Sequence, residues 1–203
     1  MDCFPHSREA RPNGIRDAVQ QASIDSTDSA TLDFWAALSE DFDRNGARLT
    51  GRRLLRALIV PDRFAALVLI RVYQLLERRG LTTSVPYRVL LHVHGLEIDG
   101  DVEIGGGLYL PHPRGVLFAS GTCIGARCAI YGAVRFLSVE TEAPVVEDDV
   151  FLGDGARLVG GVRIGRGARI GAGAVVTHDV PAGATAAGVP ARVLDRMPHH
   201  SVS

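Results

Sequence analysis

A six-residue repeat between Val146 and Val180 is the feature that most restricts how this chain can fold. A period of six fits neither a helix of about 3.6 residues per turn nor a strand that alternates every two residues. Each unit must therefore be a short strand followed by a tight turn, and stacked units bury their aliphatic residues in one core. The residues that open the six units are Val146, Leu152, Leu158, Ile164, Ile170 and Val176.

The same period also extends toward the N-terminus, with one shift and one interruption. Ile98, Ile104, Leu110 and Val116 are evenly spaced, and Phe118, Ile124, Ile130 and Phe136 continue the series after a shift of two residues. The longer interval before Val146 predicts that residues 137–145 leave the coil as a finger. Loops that interrupt a regular solenoid often carry function.

The residues before the repeat have helical spacing instead. One pattern starts at Thr31 and stops at Asn45-Gly46, a second spans residues 51–60, a third lies between Pro61 and Gly80, and a shorter one covers residues 84–94. The predicted fold class is mainly β, a parallel β-helix preceded by α-helices that pack or oligomerise. We expect a partly disordered arm (1–30), an α-helical N-terminal domain (31–95), a hexapeptide-repeat catalytic domain (96–192) and a C-terminal tail (193–203).

Composition excludes several classes of function. The 203 residues carry a formal net charge of -1, so no general attraction to nucleic acid or to an anionic membrane is expected. No apolar run is long enough to span a bilayer, and residues 1–13 lack the apolar core of a secretion signal. Three cysteines, two of them inside the repeat, argue against a disulfide framework or a zinc site. We therefore expect a soluble cytoplasmic protein with no metal, no nucleic-acid partner and no membrane insertion.

Four segments of the chain carry a resemblance to a known family. They are Gly95-Leu-Glu-Ile, Ile104-Gly-Gly-Gly-Leu-Tyr-Leu-Pro-His112, Ile170-Gly-Ala-Gly-Ala-Val-Val and Ala187-Gly-Val-Pro-Ala-Arg192. Together they resemble the hexapeptide-repeat acyltransferases, and among them the serine acetyltransferase branch. That resemblance implies a left-handed β-helix, a homotrimer or dimer of trimers with active sites between subunits, and acetyl-CoA or another acyl-CoA along the outside of the coils.

The resemblance implies a general base at His112 and a carboxylate partner at Glu97. An acceptor hydroxyl must lose its proton as it attacks a thioester, and an imidazole of pKa near ~6.5 accepts that proton at neutral pH. A carboxylate commonly orients such an imidazole and stabilises its charged form. The serine enzymes carry Asp where this chain has Glu97, so the predicted role is kept with a longer side chain.

For the cofactor, the resemblance points to the later coils and the closing segment. Small residues let a pantetheine arm lie against backbone amides, and an arginine can pair with a phosphate of CoA. His178 is expected to contact acetyl-CoA, whereas His92 and His94 are interpreted as structural. The predicted cofactor-binding residues are Gly153, Gly155, Gly171, Ala172, Ala174, Gly188 and Arg192.

The predicted acceptor site departs from the serine enzymes. Pro111 stands where they have the Asp that holds the substrate ammonium, and Glu142-Ala143-Pro144 replaces an Arg-His-Pro sequence that faces the carboxylate. With Arg135, Pro111 and Glu142 are the predicted substrate-binding residues. They predict a hydroxyl acceptor other than serine, such as a sugar or another small metabolite. The alternatives are a true serine O-acetyltransferase of cysteine biosynthesis and a non-catalytic trimeric β-helix scaffold.

Overall fold

The computed structural model describes residue 31, residues 33–60 and residues 62–194. The predicted arm and residues 195–203 of the predicted tail lie outside this range. Helices come first in the described chain, as the 3.6-residue spacing predicts. They are α1 (33–44), α2 (Gly51–Ile59), α3 (Arg63–Arg78) and α4 (Ser84–Val89), which continues as a π-helical turn over Leu90–His94.

Local capping explains where these helices start and stop. The Thr50 side chain accepts a hydrogen bond from the Arg53 amide at the start of α2, and Asp62 caps α3 in the same way. The chain leaves α3 through Gly80, at φ +63°, and leaves the π-helical turn through Gly95, at φ +61°. Both backbones lie in the left-handed region where glycine costs least, so the two stops are encoded locally.

Between Glu97 and Leu194 the chain is a parallel β-helix. The strands are β1 (Glu97–Ile98), β2 (Glu103–Ile104), β3 (Leu117–Phe118), β4 (Cys123–Ile124), β5 (Ala129–Ile130), β6 (Arg135–Leu137), β7 (Val145–Val146), β8 (Phe151–Leu152), β9 (Arg157–Val159), β10 (Arg163–Ile164), β11 (Arg169–Ile170), β12 (Val175–Val176), β13 (Thr185–Gly188) and β14 (Ala191–Leu194). Within the described residues they form three sheets, in the orders β1-β3-β6-β9-β12, β2-β4-β7-β10 and β5-β8-β11-β13-β14, and all neighbours are parallel except β13 and β14. The predicted β-helix preceded by helices is thereby confirmed.

The core consists of the aliphatic and aromatic residues that set the period. Ile98, Phe118 and Phe136 occupy successive coils of the first sheet, and each is at most 1% exposed. The rings of Phe118 and Phe136 stack with their centroids 5.1 Å apart. Full burial of one such side chain contributes about 1.5–3 kcal/mol, so the column holds successive coils together.

The helices cover the open end of the first coil. A terminal coil presents backbone groups that have no further strand to pair with, and such an edge must be covered or charged. Here four buried polar side chains, those of Asp41, Asn45, Arg71 and Gln74, bond to it. Arg71 donates hydrogen bonds to the carbonyls of Ile104 and Gly105, and Gln74 donates one to the carbonyl of Val102. Asn45 donates to the carbonyl of Leu108 and accepts from the amide of Leu110. Asp41 accepts from the amide of Leu108.

Three details differ from the sequence interpretation or add to it. The finger spans residues 138–144, slightly shorter than predicted, because Leu137 and Val145 belong to strands. The closing hairpin runs to Leu194, two residues beyond the predicted boundary. Cys128 lies inside the repeat as a free, buried thiol. No helix among the described residues is long and apolar enough to cross a membrane.

Candidate active site

His112 lies in a corner of the first coil that is two residues longer than the regular corners of the repeat. The shift of two residues in the repeat falls between Leu110 and Phe118, both fully buried, so the extra residues must bulge outward between them. Pro111 and Pro113 flank His112, and Gly115 turns the chain back at φ +74°. Proline restricts the backbone on both sides of the imidazole. The corner thus presents an exposed His112 on a stiff segment of backbone.

Asp154 is a carboxylate near His112 that the sequence interpretation missed. Tyr109 pairs with Ala129, and Ala129 pairs with Phe151, so His112, Gly132 and Asp154 occupy equivalent places in three successive coils. A β-carbon built on Gly132 would lie 2.8 Å from Asp154 Oδ1 and 3.3 Å from the His112 β-carbon. The absence of a side chain at Gly132 leaves the imidazole and the Asp154 carboxylate on one continuous surface. Counting residues per coil in the sequence would have indicated this column.

Glu97 lies on β1 of the same coil as His112, and its side chain is exposed. No hydrogen bond joins Glu97 to His112 in the described part of the chain. The two residues stand at the two ends of the first coil, one entering it and one leaving it, so the predicted pairing of base and carboxylate stays a prediction. Asp154 is a second candidate for the same task.

A cavity of about 210 Å³ opens beside His112. It lies between the N-terminus of α3, the end of the π-helical turn and the corner that carries His112. Burial lowers the pKa of the His94 imidazole; the nearby Asp62 carboxylate opposes this shift and the Arg114 guanidinium adds to it. His94 is therefore neutral at pH 7, so the formal charges of this cavity come from its carboxylate and guanidinium groups. The lining residues are Asp62, Arg63, Val93, His94, Pro111, His112, Pro113 and Arg114.

The predicted cofactor residues lie on coils beyond His112, along the same corner of the β-helix. Gly153 and Gly171 are in register in one sheet, and Ala172 and Gly188 extend the column of His112 and Asp154. A β-carbon on Gly153 would lie 2.6 Å from the amide of Ala172, so this glycine is needed for coil packing whatever else it does. Ala174 is fully buried, so a contact with a cofactor would have to use its backbone. Their role in binding CoA stays a prediction.

Arg192 and His178 share a second cavity, of about 330 Å³, at the C-terminal end of the β-helix. Its other walls come from Val176, Asp179, Val180 and the hairpin of β13 and β14. Both polar side chains are exposed, and the imidazole of His178 bonds to the Thr177 hydroxyl at 2.9 Å. The structure brings together a cation and an imidazole that the sequence placed near acetyl-CoA separately.

The predicted substrate residues are not gathered in one place. Pro111 lines the cavity beside His112, whereas Arg135 and Glu142 are absent from its walls. Arg135 is exposed on β6, next to Leu117 and Arg157 in the sheet. Glu142 pairs with Val139 through two backbone hydrogen bonds, and its side chain lies against Gly161 of the next coil. Within the described protomer, Glu142 therefore packs on the coil that follows the finger.

The described residues contain no group of three His, Cys, Asp or Glu side chains arranged to hold a metal ion.

Comparison with known proteins places the repeat in a family. Residues 143–178 match the model of the bacterial transferase hexapeptide (six repeats). A serine acetyltransferase of Synechococcus elongatus is 34% identical over 163 residues, which cover 76% of this chain and 65% of that protein. A probable serine acetyltransferase of rice is 37% identical over 62% of this chain and 44% of its own length. The chain thus spans less than two thirds of the length of these curated relatives.

Solved structures agree with the sequence comparison. A Neisseria gonorrhoeae serine acetyltransferase in complex with serine superimposes with a TM-score of 0.68, at 28% identity, over 86% of this chain and 73% of that one. A Vibrio cholerae serine acetyltransferase gives a TM-score of 0.73 at 24% identity, covering 88% of this chain and 72% of that one, which shows the fold alone.

Proposed function

Because the chain is a hexapeptide-repeat protein related to the serine acetyltransferases, we propose that it is an acetyl-CoA-dependent serine O-acetyltransferase. The observation that carries this proposal is the similarity to the Synechococcus elongatus enzyme over 76% of the chain, with His112 exposed in the enlarged corner. The relatives favour serine over the broader set of acceptors predicted from Pro111 and Glu142.

His112 acts as the general base in the proposed reaction. The serine hydroxyl oxygen attacks the thioester carbonyl of acetyl-CoA while His112 takes the hydroxyl proton. The carbon–sulfur bond then breaks, the acetyl group stays on the serine oxygen, and the proton passes from the imidazolium to the departing CoA sulfur. A carboxylate that favours the imidazolium lowers the barrier to the first step. Glu97 and Asp154 are the two residues proposed for this task.

CoA is proposed to lie along the corner below His112. Its pantetheine arm would pass the small residues Gly153, Gly171 and Ala172, where the absence of large side chains leaves backbone groups accessible. Its phosphates would reach the cavity that contains Arg192 and His178, four coils away. Arginine suits this role because its planar guanidinium can bond two phosphate oxygens at once.

A homotrimer is the proposed assembly, with the helical half available to join two trimers. Glu142 and the finger lie away from His112 in one protomer, so a site that uses both must combine two subunits. Light scattering of the purified protein measures this directly. A monomer at micromolar concentration would contradict the proposal.

The test of function is steady-state kinetics with acetyl-CoA and L-serine, with CoA release and O-acetylserine both quantified. Replacing His112 by Asn should lower kcat by about 10²–10⁴ while leaving CoA affinity near that of the wild type. Unchanged turnover in that variant would remove His112 from the mechanism.

A second candidate acceptor is a neutral alcohol or a sugar hydroxyl. The observation that favours it is Pro111, an uncharged residue next to the candidate base, in the wall of the cavity. A panel of hydroxyl acceptors that lack a carboxylate, assayed beside serine, separates the two candidates. Turnover of such an acceptor with a negligible serine rate would favour the second.

A further inference from the structure

The cavity beside His112 contains side chains of both charges, which limits the ligands it suits. Asp62 contributes a carboxylate, and Arg63 and Arg114 contribute guanidinium groups. None of the three forms an ion pair within the described chain. A ligand that carries one positive and one negative group is complementary to this set, because each of its charges then meets a partner of opposite sign.

Asp62 has a fixed position and one unused oxygen. Its Oδ1 accepts hydrogen bonds from the amides of Phe64 and Ala65, at 2.9 and 3.1 Å, which hold the side chain at the N-terminus of α3. Its Oδ2 accepts no hydrogen bond from the described residues. The carboxylate is half-buried, so a cation that reaches Oδ2 interacts with it through less water than at an exposed site.

Arg114 is the more available of the two guanidinium groups. The Arg63 group lies 5.2 Å from the centre of the Phe64 ring and donates to the Asn45 carbonyl at 3.5 Å. Arg114 forms no side-chain hydrogen bond in the described chain. Its stem lies over Gly95, where an added β-carbon would be 3.9 Å from the Arg114 Cγ. Arg114 is exposed and lines the cavity, so its guanidinium is available to a carboxylate there.

His94 lines the same cavity as Asp62 and Arg114. It is 4% exposed, and both charged groups lie close enough to act on its imidazole, the Asp62 carboxylate raising its pKa and the Arg114 guanidinium lowering it. A small ligand that contacts both Asp62 and Arg114 would therefore occupy the cavity that His112 also lines.

We propose that Asp62 binds the ammonium group and Arg114 the carboxylate group of an α-amino acid whose side-chain hydroxyl faces His112. This inference rests on the proposed acetyltransferase function and names the residues that select its acceptor. It supplies the ammonium partner that Pro111 does not provide. It also explains how a zwitterion is accepted by a chain in which Glu142 replaces a cation.

The replacement Asp62→Asn tests the proposal without disturbing the helix. Asparagine caps a helix as well as aspartate does, so α3 should keep its N-terminal hydrogen bonds while the charge is lost. The acceptors are L-serine and 3-hydroxypropionate, which has the same hydroxyl and carboxylate but no amine. Asp99→Asn is the matched control, because Asp99 is exposed on the first coil and does not line the cavity.

Asp62→Asn should raise KM for serine by about 10- to 100-fold and leave the kinetics with 3-hydroxypropionate unchanged. Asp99→Asn should match the wild type with both acceptors. Arg114→Gln, tested in the same way with serine and serinamide, should lose affinity for serine alone. Unchanged thermal unfolding of Asp62→Asn verifies that the cap is intact.

The proposed function and the proposed roles of Asp62 and Arg114 are contradicted by different results. If the wild-type protein does not acetylate serine, the proposed function is wrong and this inference falls with it. If the wild type acetylates serine and Asp62→Asn does so equally well, this inference alone is overturned. An equal loss with serine and with 3-hydroxypropionate would also overturn it, because that result indicates a structural role for Asp62.

Discussion

Gly132 lies next to His112 in the following coil, so close that a β-carbon built on Gly132 would be 3.3 Å from that of His112. The same added atom would be 2.8 Å from Asp154 Oδ1. A methyl group at this position therefore pushes on the candidate base from one side and displaces a carboxylate on the other. Such close contacts are relieved by movement of the side chains involved, which here are those of His112 and Asp154.

We expect Gly132→Ala to reduce kcat by about tenfold or more, since misplacement of a base by a fraction of an ångström is costly. Its stability should change little, because the Gly132 backbone is not in the left-handed region. Gly51→Ala is the control, since nothing lies within 4 Å of an added β-carbon there. Wild-type activity in Gly132→Ala would show that the column of His112 and Asp154 is not part of the site.

Glu97 and Asp154 compete for the role of orienting His112, and charge removal distinguishes them. The variant that removes the working carboxylate, Glu97→Gln or Asp154→Asn, should lower kcat. The reason is that the imidazolium loses a stabilising negative charge. Combining that variant with His112→Asn should add little further loss, because residues that act as a unit are not additive. A multiplicative loss in both double variants would exclude both carboxylates.

The helices that cover the first coil contain a buried ion pair. Arg71 and Asp41 are 4% and 0% exposed, and the Arg71 Nε donates to Asp41 Oδ2 at 2.7 Å. Removing one partner leaves a buried charge without compensation, so Arg71→Met should lower the free energy of unfolding by about 3–5 kcal/mol. Urea denaturation measures this loss. Arg127→Met is the control, because the ion pair of Arg127 with Asp149 is exposed and its loss should change stability little.

The double variant Arg71→Met with Asp41→Leu should recover part of the lost stability but not all of it. It removes both buried charges, yet the carbonyls of Ile104 and Gly105 lose the donor that Arg71 provides. Full recovery of stability would indicate that the helices are held on the first coil by apolar packing alone.

The sequence predicts the β-helix well because its period is visible in one dimension. Ile98, Phe118 and Phe136 mark the coils whatever the helices do, and the shift before Phe118 locates the corner of His112. Asp41 and Arg71 look in the sequence like polar residues of amphipathic helices. Their burial follows from how the helices dock on the first coil, which no local pattern encodes.

The same limit applies to the candidate site. His112 and Glu97 were found through a resemblance, which transfers residues that match a motif. Asp62 precedes a helix and has an obvious local role as its cap, so the sequence gives no reason to place it beside His112. Only the packing of α3 against the corner of the first coil brings the two residues to one cavity.

The pH dependence of stability should include a contribution from His94. Burial lowers its pKa from the ordinary value of 6.5, so the unfolded chain binds a proton at a higher pH than the folded protein does. As the pH falls below about 6.5, the unfolded state gains that proton first and the free energy of unfolding declines. The decline continues down to the pKa of His94 in the folded protein, below which both states carry the proton.

Urea denaturation of the wild type and of His94→Gln at several values of pH between 5 and 7.5 tests this expectation. The wild type should lose stability on acidification through this window more steeply than His94→Gln, which has no group to titrate at that position. Parallel curves for the wild type and His94→Gln would contradict the assignment, since a neutral, buried His94 must disfavour protonation in the folded state.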